Sequence, residues 1–528
     1  MSCSKIFSGE LPELTYDILK YFKNDFSTLY SCILVNRLWC RLAIPLLWEN
    51  PFSNPTKNYN FIEIYLHNLN GDLITELNEY RIEDNLFPSN TLFNYPSLIK
   101  YLNTWKILSP ISEWTKNAVK TLKPEKRYSC EVEKFQKLIQ ILLFKLIIDN
   151  EVNLHTFEIE IFYAWNSHLD NILELILQNP NFIHNVKNLN FYIRGDSNNN
   201  NKYMIIKNHI LQLINLHQNL KKISLNGNDF LLYQSLLLTK DYNCSNTLNT
   251  IILCSVNFKD IINLDKMFDK LEVLESVHLI SCRSLNTNFI QQIINLNKPL
   301  KLKTLIIDER SQIDDSSFQL LLQKCGGYLE NFGNEFGVQS EILLESIIKY
   351  CKNIKSLYLS NFKDQIIYLL FNLIENMKQS LNYLTISITG CENYIECSSI
   401  VLQNLGQVLP FKLEYLDLVL QIKVSDFEVF LKNSQDTFIK KLLIGNFNNL
   451  KGQDILSYIK EYIMKKKRVK YLAFKYSFES TSDESDDENC DYKELALMKD
   501  EVEEFKLYDI KVLRHYGSWI SFYELTRD

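Results

Sequence analysis

An apolar pattern with a fixed internal spacing recurs through most of this sequence. From Leu154 onward, apolar residues occupy the first, fourth and sixth places of short units, and the places between them are mostly polar. Alternate side chains of a β-strand point to opposite faces, so the fourth and sixth places of a unit share one face. Each unit therefore predicts a short strand with that face buried. The units are Leu154/Phe157/Ile159, Val186/Leu189/Phe191, Leu220/Ile223/Leu225, Leu248/Ile251/Leu253, Leu274/Val277/Leu279, Leu302/Leu305/Ile307, the degenerate Leu329/Phe332/Asn334, Ile354/Leu357/Leu359, Leu381/Leu384/Ile386, Leu413/Leu416/Leu418, Ile439/Leu442/Ile444 and Val469/Leu472/Phe474.

The units return at a nearly regular interval. Their first places are 25 to 34 residues apart, and amphipathic segments such as Ser317 to Lys324 and Leu343 to Tyr350 lie between them. These segments predict helices that return the chain to the start of the next strand. The spacing resembles that of leucine-rich repeats, whose period is about 20–29 residues. Asn228 and Cys282 stand where the longer form of that signature has a buried polar or thiol residue. The resemblance implies an α/β solenoid, with a curved parallel sheet and outer helices.

The segment from Leu11 to Trp48 has a different pattern and predicts three short helices. Pro12 is suited to the first turn of a helix, where its missing N–H is not needed. The second helix has Ser27 or Thr28 as its expected cap. A module of about 40 residues is too small to bury all of its large apolar side chains by itself, so we expect some of them to contact a partner.

The same segment resembles an F-box. The resemblance lies in Leu11-Pro12, in the apolar residues of the first helix, in the stretch Val35-Asn36-Arg37-Leu38-Trp39 and in Leu47-Trp48, with Thr15 and Tyr16 departing from the usual pattern. Cys325 and Cys351, each just before a predicted strand, are similar to the cysteines of repeats that often follow an F-box. The resemblance implies binding to a Skp-family adaptor and, through it, to a cullin. It implies these adaptor-binding residues: Leu11, Pro12, Leu14, Ile18, Leu19, Val35, Trp39, Leu47 and Trp48.

These patterns divide the chain into five parts. The F-box covers residues 1–50, a helical linker or N-terminal cap covers 51–150, and the leucine-rich-repeat solenoid covers 151–478. Residues 479–491 form an acidic stretch without a basic residue, which predicts a disordered loop. Residues 492–528 regain apolar content and suit a C-terminal cap.

Composition and motifs favour a protein without catalytic chemistry of its own. The sequence has no phosphate-binding glycine loop, no zinc-protease motif and no nucleophile elbow. None of its 12 cysteines forms a CxxC pair, and His209 and His217 lack further ligands, so we expect no metal and no cofactor. The net charge of −6 argues against nucleic acid as a partner. With no signal peptide and no apolar stretch long enough for a bilayer, the expected location is cytoplasmic, nuclear or both, without a membrane partner.

The third and fifth places of each unit point away from the predicted core, so they form a candidate surface for a protein substrate. Tyrosines gather at these places in the last units: Tyr358, Tyr383, Tyr415 and Tyr471. Tyrosine offers a large contact area with few rotamers to freeze. These four residues are therefore the predicted substrate contacts, although strands favour aromatic residues for structural reasons as well.

Taken with the resemblance, these observations predict a substrate receptor of an SCF-type ubiquitin ligase. The substrate itself is not identified by any motif. An alternative is a leucine-rich-repeat scaffold or adaptor that makes the same F-box contact without leading to degradation.

Overall fold

A computed structural model of the chain describes residues 11–23, 25–53, 60–67, 69, 92–118, 129–162, 168–194, 201–227, 234, 244–307, 311, 313–334, 341–360, 366–388, 393–446, 455–477 and 492–515. The chain forms two compact units. Unit 1 takes in Met1–Ile251 and Lys270–Val273, and unit 2 takes in Ile252–Asp269 and Leu274–Asp528. The fold is α/β, with helices outside a sheet in which parallel pairing dominates.

Unit 1 begins with helices and continues into parallel strands. The helices are α1 (Pro12–Lys20), α2 (Phe26–Ile33), α3 (Arg37–Leu47), α4 (Asn60–His67), α5 (Thr104–Ala118), α6 (Ser129–Asp149), α7 (Leu169–Gln178) and α8 (Asn201–Leu216). The strands are β1 (Tyr101–Asn103), β2 (Thr156–Phe162), β3 (Asn188–Arg194) and β4 (Lys222–Asn226). Each of these strands pairs in parallel with the next one along the chain. Strand β5 (Thr250–Cys254) contains the point at which the chain passes from unit 1 to unit 2.

Unit 2 alternates strands and helices. The strands are β6 (Ser276–Cys282), β7 (Leu302–Ile307), β8 (Asn331–Asn334), β9 (Ser356–Ser360), β10 (Tyr383–Ser387), β11 (Lys412–Leu420), β12 (Phe438–Asn446), β13 (Tyr471–Ser477), β14 (Tyr492–Glu494) and β15 (Lys511–Val512). The helices are α9 (Leu264–Lys270), α10 (Thr287–Ile294), α11 (Asp315–Cys325), α12 (Glu341–Tyr350), α13 (Ile367–Asn376), α14 (Tyr394–Val408), α15 (Val424–Asn433), α16 (Ile455–Ile459) and α17 (Lys499–Lys506).

Strands β6 to β13 pair in parallel in the order of the sequence. Strand β14 is antiparallel to β13, and the two-residue strand β15 pairs with β13 in parallel. Helix α16 continues into a π-helical turn, Lys460–Met464.

The predicted register of the repeat is confirmed. The first, fourth and sixth residues of the units are buried, with Leu274 half-buried as an exception. The degenerate unit follows the same register, because its sixth residue, Asn334, is a buried polar residue 6 % exposed. Helices α11 and α12 lie where the amphipathic segments predicted them. The apolar pattern therefore fixes which face of every strand enters the core.

One local prediction is wrong. Helix α2 is capped by Asp25, not by Ser27 or Thr28, and the Asp25 carboxylate accepts a hydrogen bond from the backbone N–H of Thr28 at 3.0 Å. Aspartate is as good a cap as serine, and here it begins the helix two residues before Ser27. Two other predictions lie outside the described residues: the acidic loop 479–491 and the role of Asn228. Residues 492–515 of the proposed C-terminal cap are described, and the rest of it is not.

Candidate functional site

The first three helices of unit 1, residues 12–47, form a small module with a core of its own. Six side chains make up this core: Leu19, Leu29, Cys32, Trp39, Ala43 and Leu46. Leu19 is fully buried and Trp39 is 8 % exposed. Both were predicted as adaptor contacts, and this prediction needs correction, since neither offers a surface to a partner in this conformation. Their apolar character serves the packing of the three helices.

Other large apolar residues of the module are exposed. Leu14 on α1 is 40 % exposed, and Leu34 and Val35, which follow α2, are 74 % and 48 % exposed. Tyr21 and Tyr30 are exposed as well. Leu11, Pro12 and Ile18 are half-buried. The module thus leaves part of its apolar surface in solvent, as its small size predicted.

Hydrogen bonds on both sides hold the exposed Leu34-Val35 pair in place. At the start of α3, the Asn36 side chain accepts a hydrogen bond from the Trp39 N–H at 3.0 Å. At the end of α2, the N–H groups of Leu34 and Val35 donate to the backbone carbonyls of Ser31 and Cys32, each at 3.2 Å. The backbone on both sides of the turn is therefore fixed, and a partner would meet an ordered surface.

The module is joined to the first strand through Glu49. The Glu49 carbonyl accepts hydrogen bonds from the N–H groups of Lys100 and Tyr101 at 2.9 and 3.1 Å. Its buried carboxylate pairs with Lys100 and, at 2.7 Å, with Lys23 of the module. Burial alone would raise the pKa of Glu49, but the hydrogen bonds and charges of the two lysines hold it below its ordinary value. The predicted contact Trp48 also belongs to this junction, because its ring lies 4.2 Å from that of Tyr95. Leu47, half-buried, packs against the core of the module.

The four predicted substrate tyrosines do not form one surface. Tyr383 and Tyr415 lie side by side, with ring centroids 6.3 Å apart. Tyr471 is half-buried on β13, one strand beyond Lys441. Tyr358 packs instead against an apolar cluster that includes Ile306. Gly333 makes this contact possible, since an added Cβ there would lie 3.3 Å from the Tyr358 ring.

The expectation that Tyr415 is exposed is wrong. Its side chain is 5 % exposed and belongs to a cluster with Leu443 and Ala473. The chain segment that includes β15 brings Leu513 against this cluster. Repeat spacing alone does not reveal this segment, because it lies about 100 residues after Tyr415 in the sequence.

The same segment closes over an ionisable group that sequence reasoning missed. Asp417, at the fifth place of its unit, is fully buried and accepts a hydrogen bond from the Tyr415 hydroxyl at 3.1 Å. Its other carboxylate oxygen lies 3.8 Å from Nε2 of His515. Burial raises the pKa of Asp417 to about 7, and burial lowers the pKa of His515. The sequence did contain a signal for this group: Asp417 is a charged residue in a predicted strand, and the residues before and after it are apolar or aromatic.

Sequence reasoning also missed a second feature, which lies at the second residue of each repeat, directly after the first apolar residue. This place is here called the ladder position. Lys100, which follows Ile99 just before β1, begins this series in unit 1. Its carbonyl accepts a hydrogen bond from the His155 N–H, the His155 carbonyl accepts one from the Lys187 N–H, and the Lys187 carbonyl accepts one from the Lys221 N–H. These four residues are thus stacked one strand apart, at intervals of about 4.8 Å. Reading the second places of the units along the chain would have found them.

The ladder of unit 1 lines a cavity of about 500 Å³. Beside the four ladder residues, a parallel row of amide and hydroxyl side chains completes the lining: Asn153, Asn185, Asn219 and Thr247. Each member of this row stands immediately before the first apolar residue of its unit. Lys100 pairs with Glu49, whereas Lys187 and Lys221 have no acidic partner among the described residues.

The ladder of unit 2 carries acidic residues among its lysines, although Lys470 follows Lys440 directly. Glu330 lies between Lys303 and Lys355, and it pairs with both, at 2.8 Å in the case of Lys355. Glu414 pairs with Lys440 at 2.8 Å. The hydrogen bond from Lys440 is the main reason why the pKa of Glu414 is below its ordinary value.

Histidines and cysteines are the side chains of this chain most suited to binding a metal ion. Among the described residues, no three of His, Cys, Asp and Glu converge as they would around a metal ion. His217 is buried with Nδ1 2.6 Å from the Leu213 carbonyl, and burial lowers its pKa to about 4. Cys325 and Cys351 are buried, and burial raises the pKa of each thiol to about 12. The Cys282 thiol donates to the Leu253 carbonyl of the neighbouring strand at 3.3 Å. In the part of the chain that the structure describes, no helix has the length and apolar character needed to cross a membrane.

No protein-family model matches this sequence, and no curated protein matches it either.

Proposed function

We propose that this chain is a substrate receptor of an SCF-type ubiquitin ligase, with an F-box at residues 1–50 and a leucine-rich-repeat solenoid after it. The F-box binds a Skp-family adaptor, and the adaptor connects it to a cullin. The repeats bind a protein substrate. The chain performs no chemistry in this assembly, so no catalytic residue is assigned to it.

The observation that carries the proposal is the N-terminal module. It buries a core of six side chains and still leaves Leu14, Leu34 and Val35 exposed. Exposed apolar side chains that lie together mark sites where a partner binds, and Leu34 and Val35 are adjacent in the chain. Of the residues implied by the F-box resemblance, Leu11, Pro12, Leu14, Ile18 and Val35 remain the adaptor contacts, because Leu19 and Trp39 are inside the module.

The junction at Glu49 explains how such a receptor can work. Ubiquitin transfer depends on holding a substrate lysine near the conjugating enzyme, and this effect of proximity is lost if the connection is loose. The Glu49 carboxylate ties Lys23 of the module to Lys100 beside the first strand. A client on the repeats of unit 1 is therefore held by a chain that has a fixed connection to the adaptor-binding module.

Co-purification with a Skp-family adaptor tests the proposal. The double variant Leu34→Asp with Val35→Asp changes only exposed side chains, so it should remain folded and lose the adaptor. Truncating one apolar anchor at an interface costs about 2–4 kcal/mol, and a charge at the same place costs more. The matched control is Ile342→Asp, since Ile342 is an apolar residue of unit 2 that is 49 % exposed. Equal adaptor recovery from the two variants would overturn the proposal.

A proteasome inhibitor separates the ligase from the scaffold alternative. Clients that co-purify with the chain should accumulate when the proteasome is inhibited, if degradation is the output. Stable clients, with the adaptor still bound, would favour a scaffold that makes the same F-box contact.

A further inference from the structure

The charge of the unit 1 ladder is not required by its fold. Successive ladder residues are about one strand spacing apart, and like charges on neighbouring strands destabilise a sheet. In unit 2, Glu330 between Lys303 and Lys355 relieves this repulsion. At the end of the same ladder, Lys440, Lys470 and Lys511 follow one another without an acidic residue between them. In unit 1 the equivalent neighbours are Lys187 and Lys221, and no described acidic residue pairs with either. The ladder position can therefore hold an acidic residue that neutralises neighbouring lysines, and the ladder of unit 1 has no such residue beside Lys187 and Lys221.

The environment of His155 agrees with an excess of positive charge. Burial is the first reason why the pKa of His155 is lowered, and the charges of Lys187, Lys23 and Lys100 follow. Glu49 offsets them only in part. The His155 ring nitrogen Nδ1 lies 3.2 Å from the Thr156 hydroxyl, and this contact holds the ring beside the ladder.

The second row of the cavity narrows the class of ligand. Asn153, Asn185 and Asn219 carry both donors and acceptors, and Thr247 carries a hydroxyl. A bare polyphosphate only accepts hydrogen bonds, so the amide carbonyls would have no role in binding it. A peptide backbone both donates and accepts, and this is what a row of amides can satisfy.

The dimensions fit a short extended segment. Four ladder residues span three strand intervals, about 14 Å, which is the length of four or five residues of extended chain. A cavity of about 500 Å³ lies within the range of sites that enclose small ligands or short peptide segments. Lysine side chains are long and flexible, so their charges can adjust to carboxylates that are spaced differently from the strands.

We infer that the cavity beside Lys100, His155, Lys187 and Lys221 binds an extended acidic segment of a client protein. The lysines pair with its carboxylates, and the asparagine row holds its backbone. This inference rests on the proposed function, because it assigns the client site of the same receptor. It moves part of substrate recognition from the tyrosines of unit 2 to the ladder of unit 1.

The test uses the full chain and a fluorescent peptide of about ten alternating glutamate and serine residues, long enough to cross the whole ladder. A lysine–serine peptide of the same length is the reference. Fluorescence polarisation should show binding of the acidic peptide only, and the affinity should fall as salt is raised.

The variant is Lys187→Glu with Lys221→Glu, which should weaken binding of the acidic peptide by about tenfold or more. The control is Lys259→Glu with Lys301→Glu, two exposed lysines of unit 2 whose reversal changes the net charge equally. The control should bind as the parent chain does.

Adaptor co-purification is measured on the same preparations. Adaptor binding retained without acidic-peptide binding would overturn this inference and leave the proposed function standing. Peptide binding without adaptor binding would support the cavity and count against the proposed function. Equal loss in the variant and the control would mean nonspecific attraction and overturn the inference. Tighter binding of tripolyphosphate or of a single-stranded oligonucleotide than of the peptide would also overturn it.

Discussion

Units 1 and 2 use the same apolar places for their strands and differ at the places between them. The ladder of unit 2 includes acidic residues that pair with its lysines, as at Glu330 and Lys355, whereas that of unit 1 carries Lys187 and Lys221 without an acidic partner among the described residues. The core places tolerate only apolar or small buried residues, so they repeat with little change. The places that leave the core are free to vary, and they are where the two units carry different chemistry.

The face opposite the helices shows a second difference. In unit 1 the fifth places carry polar residues, and the Asn103 and Asn190 amides both donate to the Glu158 carboxylate, at 2.7 and 2.9 Å. In unit 2 the corresponding places include Ile306 and Leu443, which are buried. The chain around Leu513 covers part of this face. The polar face of unit 1 is suited to solvent or to a polar ligand. The apolar residues on this face of unit 2 are buried in the folded chain and offer less surface for binding.

The largest expected effect tests whether the two units share one structural rule. Leu189→Asp in unit 1 and Leu357→Asp in unit 2 each place a charge at a fully buried fourth place. A buried unpaired carboxyl group in place of a leucine costs several kcal/mol, a large part of the stability of a typical domain, so both variants should be depleted from the soluble fraction. The control Asn382→Asp changes an exposed ladder residue and should remain soluble. If only one leucine variant aggregated, the units would not share the same core register.

The next largest effect concerns the covered face of unit 2. Tyr415→Ala removes a buried ring, and such truncations cost about 3–5 kcal/mol of the free energy of unfolding. Tyr471→Ala removes a half-buried ring, so we expect a clearly smaller loss. Urea unfolding followed by circular dichroism measures both. If the two losses were equal, the segment around Leu513 would not cover Tyr415 in solution.

These two tests also separate what the sequence predicts from what it does not. The buried places of Leu189 and Leu357 follow from strand alternation alone, so the fold of the repeats was predictable. The burial of Tyr415 was not, because it depends on a segment far away in the sequence that carries no repeat pattern. In the N-terminal module, the apolar set was predictable, but its division into buried Trp39 and exposed Val35 depends on how three helices pack. The ladder was visible in the sequence, and it was missed because only the third and fifth places were considered.

The third prediction is a pH dependence that arises from a buried carboxyl group of unit 2. The folded-state pKa of Asp417 is about 7 against an ordinary 3.8, so the folded state holds a proton that the unfolded state has lost. Stability therefore falls as the pH rises between these two values, by at most about 4 kcal/mol. Asp417→Asn keeps an acceptor for the Tyr415 hydroxyl and removes the charge.

We expect this variant to melt higher than the parent chain at about pH 8 and to match it more closely at about pH 5. His515 acts in the opposite direction, since burial lowers its pKa and its protonation costs stability in acid. The double variant Asp417→Asn with His515→Gln separates the two groups. A melting difference that does not change with pH would contradict the burial of an ionisable carboxyl group at this place.

The smallest expected effect reverses the contrast between the two ladders. Lys187→Glu would give unit 1 the alternating order that Lys303, Glu330 and Lys355 have in unit 2. The new carboxylate would lie one strand from Lys221 and one from His155, and it would replace repulsion with attraction. Pairs of this kind are worth about 0.2–1 kcal/mol, so the variant should be slightly more stable than the parent chain at low salt. The gain should disappear at high salt, where such charges are screened. The complementary change Glu330→Lys should destabilise unit 2 by a similar amount. Thermal melting at two salt concentrations measures both.

The two possible outcomes for Lys187→Glu have different meanings. If the variant were more stable and also bound the acidic peptide more weakly, the positive charge of Lys187 would lower the stability of unit 1 and serve binding. A loss of stability instead would mean that Lys187 has a structural role that the ladder of unit 2 does not require.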